Sequence, residues 1–191
     1  MYTSLASLGK LFSKISSGIG AIISQPYDEV NKKRGVQWAA SRIVTATAGQ
    51  IFYSVIEVGD KPIDLKHREF AFTGASISAD IFQSPSYTGG TAEVVHNANG
   101  FTAQPPSFDF VLKGGVSIIQ GGEGVKFAPT IYAIGPTSNQ SKGLANALYG
   151  SNYILKPNTV YLLRFTNTDT QTQSIAVRVE GYEGDLDFYP E

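Results

Sequence analysis

The sequence predicts a mainly β chain: an antiparallel β-sandwich or jelly roll with an N-terminal amphipathic helical arm. Short runs rich in β-branched and aromatic residues recur between residues 42 and 189, with turn signals roughly every 8–14 residues. No βαβ alternation appears, which disfavours a parallel sheet. Ahead of these runs, Leu5, Leu8, Phe12, Ile15, Ile19 and Ile22 are spaced by alternating steps of 3 and 4, a helical seam. The division is therefore an arm and connector over 1–41 and a β domain over 42–191. With 42% hydrophobic and 12% aromatic residues, the chain can fill a core, and wholesale disorder is disfavoured.

The arm, "SLASLGKLFSKISSGIGAIISQP", places its apolar residues at a and d positions with a period of 3.5. Aliphatic residues at both positions predict packing of helix on helix, and isoleucine at both leans toward trimers. Gly9, Gly18 and Gly20 each weaken the helix by up to about 1 kcal/mol, which suits an arm that orders on docking. Its polar face is mostly serine, unlike the Lys/Arg-rich face of a membrane-surface helix. No run reaches the ~18 apolar residues of a bilayer span, and no small-residue cleavage site follows "GIGAII". Pro26, the "NKKRG" cluster and Trp38 mark the connector. Residues 1–42 carry six Lys or Arg against two Asp or Glu, so they are net +4 in a chain of net −1. Lys32, Lys33 and Arg34 are candidates to meet an acidic partner surface. This charge is too small to argue for nucleic acid.

Strands are predicted at "RIVTATA", "IFYSVIEV", "IDLKHREFAFTG", "SISADIF", "AEVVH", "FDFVL", "VSII", "FAPTIYAIG", "VYLLRFTN" and "SIAVRVEGY". Turns are predicted at "VGDKP", "SPSYTGG", "NANG", "KGG", "QGGEG", "KPN" and "NTDTQTQ". In "IDLKHREFAF" the apolar positions run Ile63, Leu65 and His67, then resume at Phe70 and Phe72. "GPTSNQSKGLANALYGSN" (135–152) reads as an exposed loop carrying a helical turn. "VYLLRF" reads as a central strand covered on most sides, burying Val160, Leu162 and Phe165, with Arg164 and Thr166 outward. Its expected partner is "SIAVRVEGY" through a hairpin at 167–173, with Ile175, Val177 and Val179 on one face.

The motifs that could carry chemistry are few. The chain has no cysteine, which removes disulfides, thiol catalysis and Cys-based zinc sites. Histidine occurs only at His67 and His96. "KHRE" (66–69) alternates faces on a strand, so its members cannot converge, and it reads as a solvated face. No GxSxG elbow is present. "QGGEGVK" lacks the ending of a phosphate-binding loop and reads as a hairpin turn. The acidic end, Glu180, Glu183, Asp185, Asp187 and Glu191, lacks the spacing of a calcium loop and reads as a solvated tail. Asn139 heads a formal glycosylation sequon that matters only in a secretory pathway. The expectation is a non-enzymatic protein with no cofactor or metal.

Four stretches together resemble small virion proteins of tailed bacteriophages: "VGDKPIDLKHREFAFTG" (58–74), "SPSYTGGTAEVVHNAN" (84–99), "FAPTIYAIGPTSNQSKG" (127–143) and "YILKPNTVYLLRFTNTDTQTQSIAVRVEGYEGDLD" (153–187). The most specific piece is the "LKPNTxYLLRxTN" core. The resemblance spans most of 42–187 and leaves the arm uncovered. It implies a head decoration, capsid cement or head-fibre protein with a sandwich or jelly-roll fold, often trimeric and bound to the capsid exterior. The partner would be the major capsid protein or another virion protein. The location would be the capsid surface after synthesis in the host bacterial cytoplasm, without nucleic acid or membrane as partner. The family offers no catalytic residue to carry over.

Two other functions fit parts of the sequence. An adhesin would use loop 135–152 and exposed aromatics to contact host glycans. A membrane-active protein, laid out like the sea-anemone pore-forming toxins, would pair the arm with a cysteine-free sandwich. The single Trp and the lack of an aromatic loop cluster weigh against the latter.

Overall fold

A computed structural model describes residues 27–101, 107–135, 145–149 and 153–184. The seam from Leu5 to Ile22 lies outside the described residues, as do Asp185, Asp187 and Glu191 of the acidic end; Glu180 and Glu183 instead belong to the last described strand, where Glu183 is buried and accepts from Asp109 N, which corrects the reading of that end as a solvated tail. Within them, a short helix α1 (Tyr27–Arg34) precedes the strands β1 (Gln37–Ala46), β2 (Ile51–Val58), β3 (Ile63–Phe72), β4 (Ser76–Gln83), β5 (Tyr87–Ala92), β6 (His96–Asn97), β7 (Phe110–Ile118), β8 (Val125–Lys126), β9 (Ile131–Ile134), β10 (Ala145–Tyr149), β11 (Tyr153–Leu155), β12 (Val160–Asn167) and β13 (Gln173–Glu183).

One sheet has the order β10-β3-β13-β1-β6, with β11 also on β3; the other runs β5-β7-β2-β12-β4-β8, with β9 also on β4. All ladders are antiparallel, and the pairing is nested: β1 with β13, β2 with β12, β3 with β10 and β11, β4 with β8 and β9. This is one long hairpin rolled into two sheets, the topology of a jelly roll. The segment β5–β7 is an addition that widens the second sheet beyond β2.

The long strands each bury a face between the sheets. Trp38 and Ala40 of β1, Ile56 and Val58 of β2, Phe70 and Phe72 of β3, Ile77 and Ile81 of β4, Tyr161, Leu163 and Phe165 of β12, and Ile175 and Val179 of β13 form one contiguous core. Trp38 tilts against Phe110 at 4.7 Å between ring centres, and Phe52 stacks on Phe165 at 5.1 Å, both within the favourable range for aromatic pairs. As the sequence suggests, Ile175, Val177 and Val179 share the inner face of β13.

The phase change in "IDLKHREFAF" is a β-bulge. Glu180 lies opposite His67 and Gly181 opposite Leu65, so Lys66 is the extra residue of β3 between them. The extra residue turns His67 outward and Arg68 inward, where its guanidinium lies 4.9 Å from the centre of the Tyr153 ring. Arg68 is therefore buried, which corrects the reading of 66–69 as a solvated face. Gly181 permits the bulge: a Cβ there would stand 2.6 Å from the Asp64 carbonyl oxygen and 3.0 Å from the Trp38 ring.

Other differences have local causes. β1 starts at Gln37 rather than Arg42, because "QWAAS" turns Trp38 and Ala40 into the core while its backbone pairs with Tyr182 through Arg178. The connector over 25–41 thus contains α1 and the first half of a core strand. "YTGGTA", read as a turn, is strand β5; Gly90, at φ 94°, lies so close to β7 that a Cβ would meet Val116 at 2.5 Å. "AEVVH" is not a strand of its own: Ala92 ends β5, His96 begins β6, and residues 93–95 link the two. "FDFVL" and "VSII" are not two strands around a "KGG" turn: β7 is continuous and bends at Gly115, φ 70°. Residues 145–149, placed by sequence in an exposed loop, form β10 on β3.

The expected hairpin between β12 and β13 is absent. The two strands lie in different sheets, and residues 168–172 cross between them. The corner is fixed by Asn167, which is fully buried. Its Nδ2 lies 2.8–2.9 Å from the carbonyls of Ala46, Thr47 and Gln171. Its Oδ1 accepts from Asp169 N at 2.9 Å and Gln173 Nε2 at 2.6 Å.

Candidate functional surfaces

The root of the arm is built into the sandwich. Helix α1 ends in a Schellman motif: Gly35, at φ 72°, donates to Lys32 O at 3.0 Å, and Val36 N donates to Asn31 O at 3.2 Å. Asn97 Nδ2 donates to Gly35 O at 2.6 Å and Asn99 Nδ2 to Lys33 O at 3.1 Å. The "NANG" turn thus holds carbonyls that the helix end would leave unmet. On the other side Glu183 N donates to Val36 O at 3.0 Å. The C-terminal end of α1 is therefore held beside the start of β1.

Lys32, Lys33 and Arg34 are exposed on the last turn of α1. Lys33 pairs with Glu29 at 2.9 Å, one turn away. Cations at a helix C-terminus also complement its dipole, by about 0.3–1 kcal/mol each. The basic cluster thus serves its own helix as well as presenting charge to the surroundings. The other residues singled out by the sequence, Leu5, Leu8, Phe12, Ile15, Ile19 and Ile22, lie outside the described residues.

The outer face of the second sheet carries a polar network over a small apolar cluster of Val55, Phe82, Val116 and Leu162. Opposed residues of adjacent strands share a face, so the pairing of Arg164 with Asp80 on one side and Tyr53 on the other aligns all three. Asp80 accepts from Arg164 Nη2 at 2.7 Å, Thr130 Oγ1 at 2.6 Å and Lys126 Nζ at 2.9 Å. Burial acts to raise its pKa, but the hydrogen bonds from Thr130, Arg164 and Lys126 outweigh it and hold the carboxyl below its ordinary value. Arg164 Nη1 reaches Glu123 at 2.7 Å, Glu123 accepts from Tyr53 Oη at 3.0 Å, and the guanidinium covers the Phe82 ring at 4.8 Å. Burial, then the hydrogen bond to Glu57, pushes the neighbouring Tyr87 phenol up to about 12. An open groove beside this network runs along Tyr53, Ile118, Gln120, Gly121 and Glu123.

This network was not singled out from sequence. Its signal is a lone charge inside an apolar run, Asp80 in "SISADIF" and Arg164 in "VYLLRF". Such charges persist in covered strands only when paired. The expectation that Arg164 faces outward holds, and Leu162 is buried on that same outer face.

On the outer face of the first sheet, His96, Ala39, Glu180 and His67 form one row across four strands. Arg178 contacts Glu69 and Glu180 beside it. Among the described residues, no three metal-ligating side chains gather into a candidate ion site. No described helix is long and apolar enough to cross a membrane.

No family model and no curated protein matches the chain. Among solved structures, the infectious bursal disease virus VP2 subviral particle aligns at 13% identity and TM-score 0.17, over 90% of this chain and 45% of that one. A structure of the Gx strain of the same virus aligns at 15% identity and TM-score 0.17, over 88% and 45%. The chain thus spans less than half the length of these proteins, and a superposition this weak fixes neither fold nor function. The jelly roll is read from the strand pairing alone.

Proposed function

We propose that the chain is a non-enzymatic virion structural protein of a tailed bacteriophage, which decorates or stabilises the capsid exterior. The observation that carries this reading is the way the arm is rooted. A Schellman motif and two asparagines tie the end of α1 to the sandwich, so the helix that follows the amphipathic segment in sequence is fastened to the β body. That is the layout of an anchored module. The jelly roll is a fold used by viral capsid and lectin domains, and the four resembling stretches lie within it.

In this reading Leu5, Leu8, Phe12, Ile15, Ile19 and Ile22 pack on a virion partner, the major capsid protein or a neighbour of it. Lys32, Lys33 and Arg34 face acidic groups there. Several copies held together, a homotrimer by the sequence pattern, would convert weak single contacts into tight attachment through effective concentration. Bridging neighbouring capsid subunits then requires several contacts to break together before the shell yields.

Replacing Phe12 and Ile15 by Asp tests the reading. Co-sedimentation with phage heads should be lost while the β-sheet circular dichroism and melting temperature stay unchanged. Undiminished co-sedimentation overturns it. A glycan array run beside it separates attachment to particles from the adhesin alternative, in which loop 135–152 would contact host sugars.

A further inference from the structure

The groove beside the Asp80–Arg164 network has the make-up of a binding site. Its volume is about 530 Å³, inside the ~300–1,000 Å³ of small-molecule sites. Tyr53 of β2, Ile118 of β7 and the turn between β7 and β8 line it. The turn is laced to the neighbouring loop. Ile119 N donates to Ser86 O at 3.0 Å, Ser86 N to Gly122 O at 2.6 Å and Gly122 N to Ile119 O at 2.7 Å. Gly121 leaves open space where a side chain would stand.

The polar groups of the groove are held in place and only partly used. Glu123 accepts from Tyr53 Oη at 3.0 Å on one oxygen and from Arg164 Nη1 at 2.7 Å on the other. A carboxylate offers about four lone-pair sites, and the Glu123 side chain is 30% exposed, so it can accept further bonds. Burial, then the hydrogen bond with Glu123, raises the Tyr53 phenol above its ordinary value. It therefore stays protonated, and its oxygen keeps a lone pair for another donor. Gln120 is exposed and adds an amide that both donates and accepts. Ile119, 52% exposed, supplies apolar surface.

Charge balance decides the class of ligand. The network sets Glu57, Asp80 and Glu123 against Lys113, Lys126 and Arg164, and each of these cations is ion-paired. Among the described residues no lysine or arginine lines the groove, so nothing there holds a phosphate, sulfate or carboxylate. A purely apolar ligand would leave Glu123, Tyr53 and Gln120 short of hydrogen bonds that water now supplies. The occupant that suits the groove is uncharged, rich in hydroxyls and carries C–H faces. We infer that the groove binds a neutral oligosaccharide. Glu123 and the Tyr53 oxygen accept from its hydroxyls, and Gln120 bonds a neighbouring hydroxyl. The Tyr53 ring and Ile119 meet the C–H face of a sugar ring. A site built around hydroxyl groups rejects analogues that lack them. This goes beyond the reading of a capsid-attached module. It shares no residue with the arm, and none with loop 135–152 of the adhesin alternative.

The test uses the full chain on an array of neutral, sialylated and sulfated oligosaccharides. A neutral member should be retained, and its titration should shift the amide resonances of Tyr53 and of residues 118–124. Glu123→Gln removes the carboxylate and should weaken binding at least tenfold. Gln120→Ala lies outside the ion-pair network, so it should keep the melting temperature while weakening binding at least threefold. It carries the test if Glu123→Gln also loosens the turn. Four results each overturn the inference: no neutral member retained, acidic members retained alone, resonance shifts confined to other parts of the chain, or an affinity untouched by both variants. Co-sedimentation with phage heads reads the arm and not the groove, so failure here leaves the arm's role standing.

Discussion

Gln173 donates through Nε2 to Asn167 Oδ1 at 2.6 Å, both residues being buried. The contact closes the corner at which the chain leaves one sheet for the other. Gln173 Oε1 also accepts from Gly74 N at 2.8 Å, and its Nε2 donates to Ser76 O at 2.8 Å. One pair of amides thus joins β12, β13, the β3–β4 turn and the end of β1. Replacing Asn167 by Ala leaves several buried main-chain groups unmet. Losing such bonds costs about 0.5–1.5 kcal/mol each, and more where a group stays buried and unpaired. A loss of about 2–4 kcal/mol is expected, read from the midpoint of chemical denaturation.

The bulge offers a second test. Gly181→Ala would press a methyl group against the Asp64 carbonyl and the Trp38 ring. Overpacking of this kind costs about 1–3 kcal/mol. The variant should melt earlier, with its Trp fluorescence shifted as Trp38 is displaced.

Acid should weaken the second sheet through Asp80. Its folded pKa lies below the ordinary 3.8, so its contribution is complete well above pH 3.8 and is lost as pH falls through the folded value. Asp80→Asn should be less stable than the parent at pH 7, and the gap should narrow toward pH 3. Equal pH profiles for the two proteins would show that the carboxylate contributes nothing.

At the root of the arm, Gly35 adopts a left-handed conformation that a side chain disfavours. Gly35→Ala should cost about 1 kcal/mol. Amide exchange over residues 27–36 should rise while that of β12 and β13 stays protected.

Much of this fold was legible in sequence because alternation and turn residues report local structure. "VYLLRF" announced a strand covered on both faces. The bulge showed itself as a phase change between Leu65 and Phe70. What escaped was non-local. The choice of sheet for β12 and β13 depends on Asn167, whose partners at Ala46 and Thr47 are far away in sequence. The glycines of "YTGGTA" and "KGG" look like turns, yet they serve a close strand approach and a bend. The network around Asp80 and Arg164 was visible only as two lone charges whose pairing needs the register. Trp38, taken as connector, is core because β1 begins before the run of β-branched residues that marked it.

The most direct test of the account is attachment by a chain that lacks residues 1–26. The cut must stop short of Tyr27, since removing 1–41 would take α1, Trp38 and half of β1. The full chain should co-sediment with phage heads. The shortened chain should stay in the supernatant with the same melting temperature. Equal binding by both would contradict the arm as anchor and place attachment on the β domain.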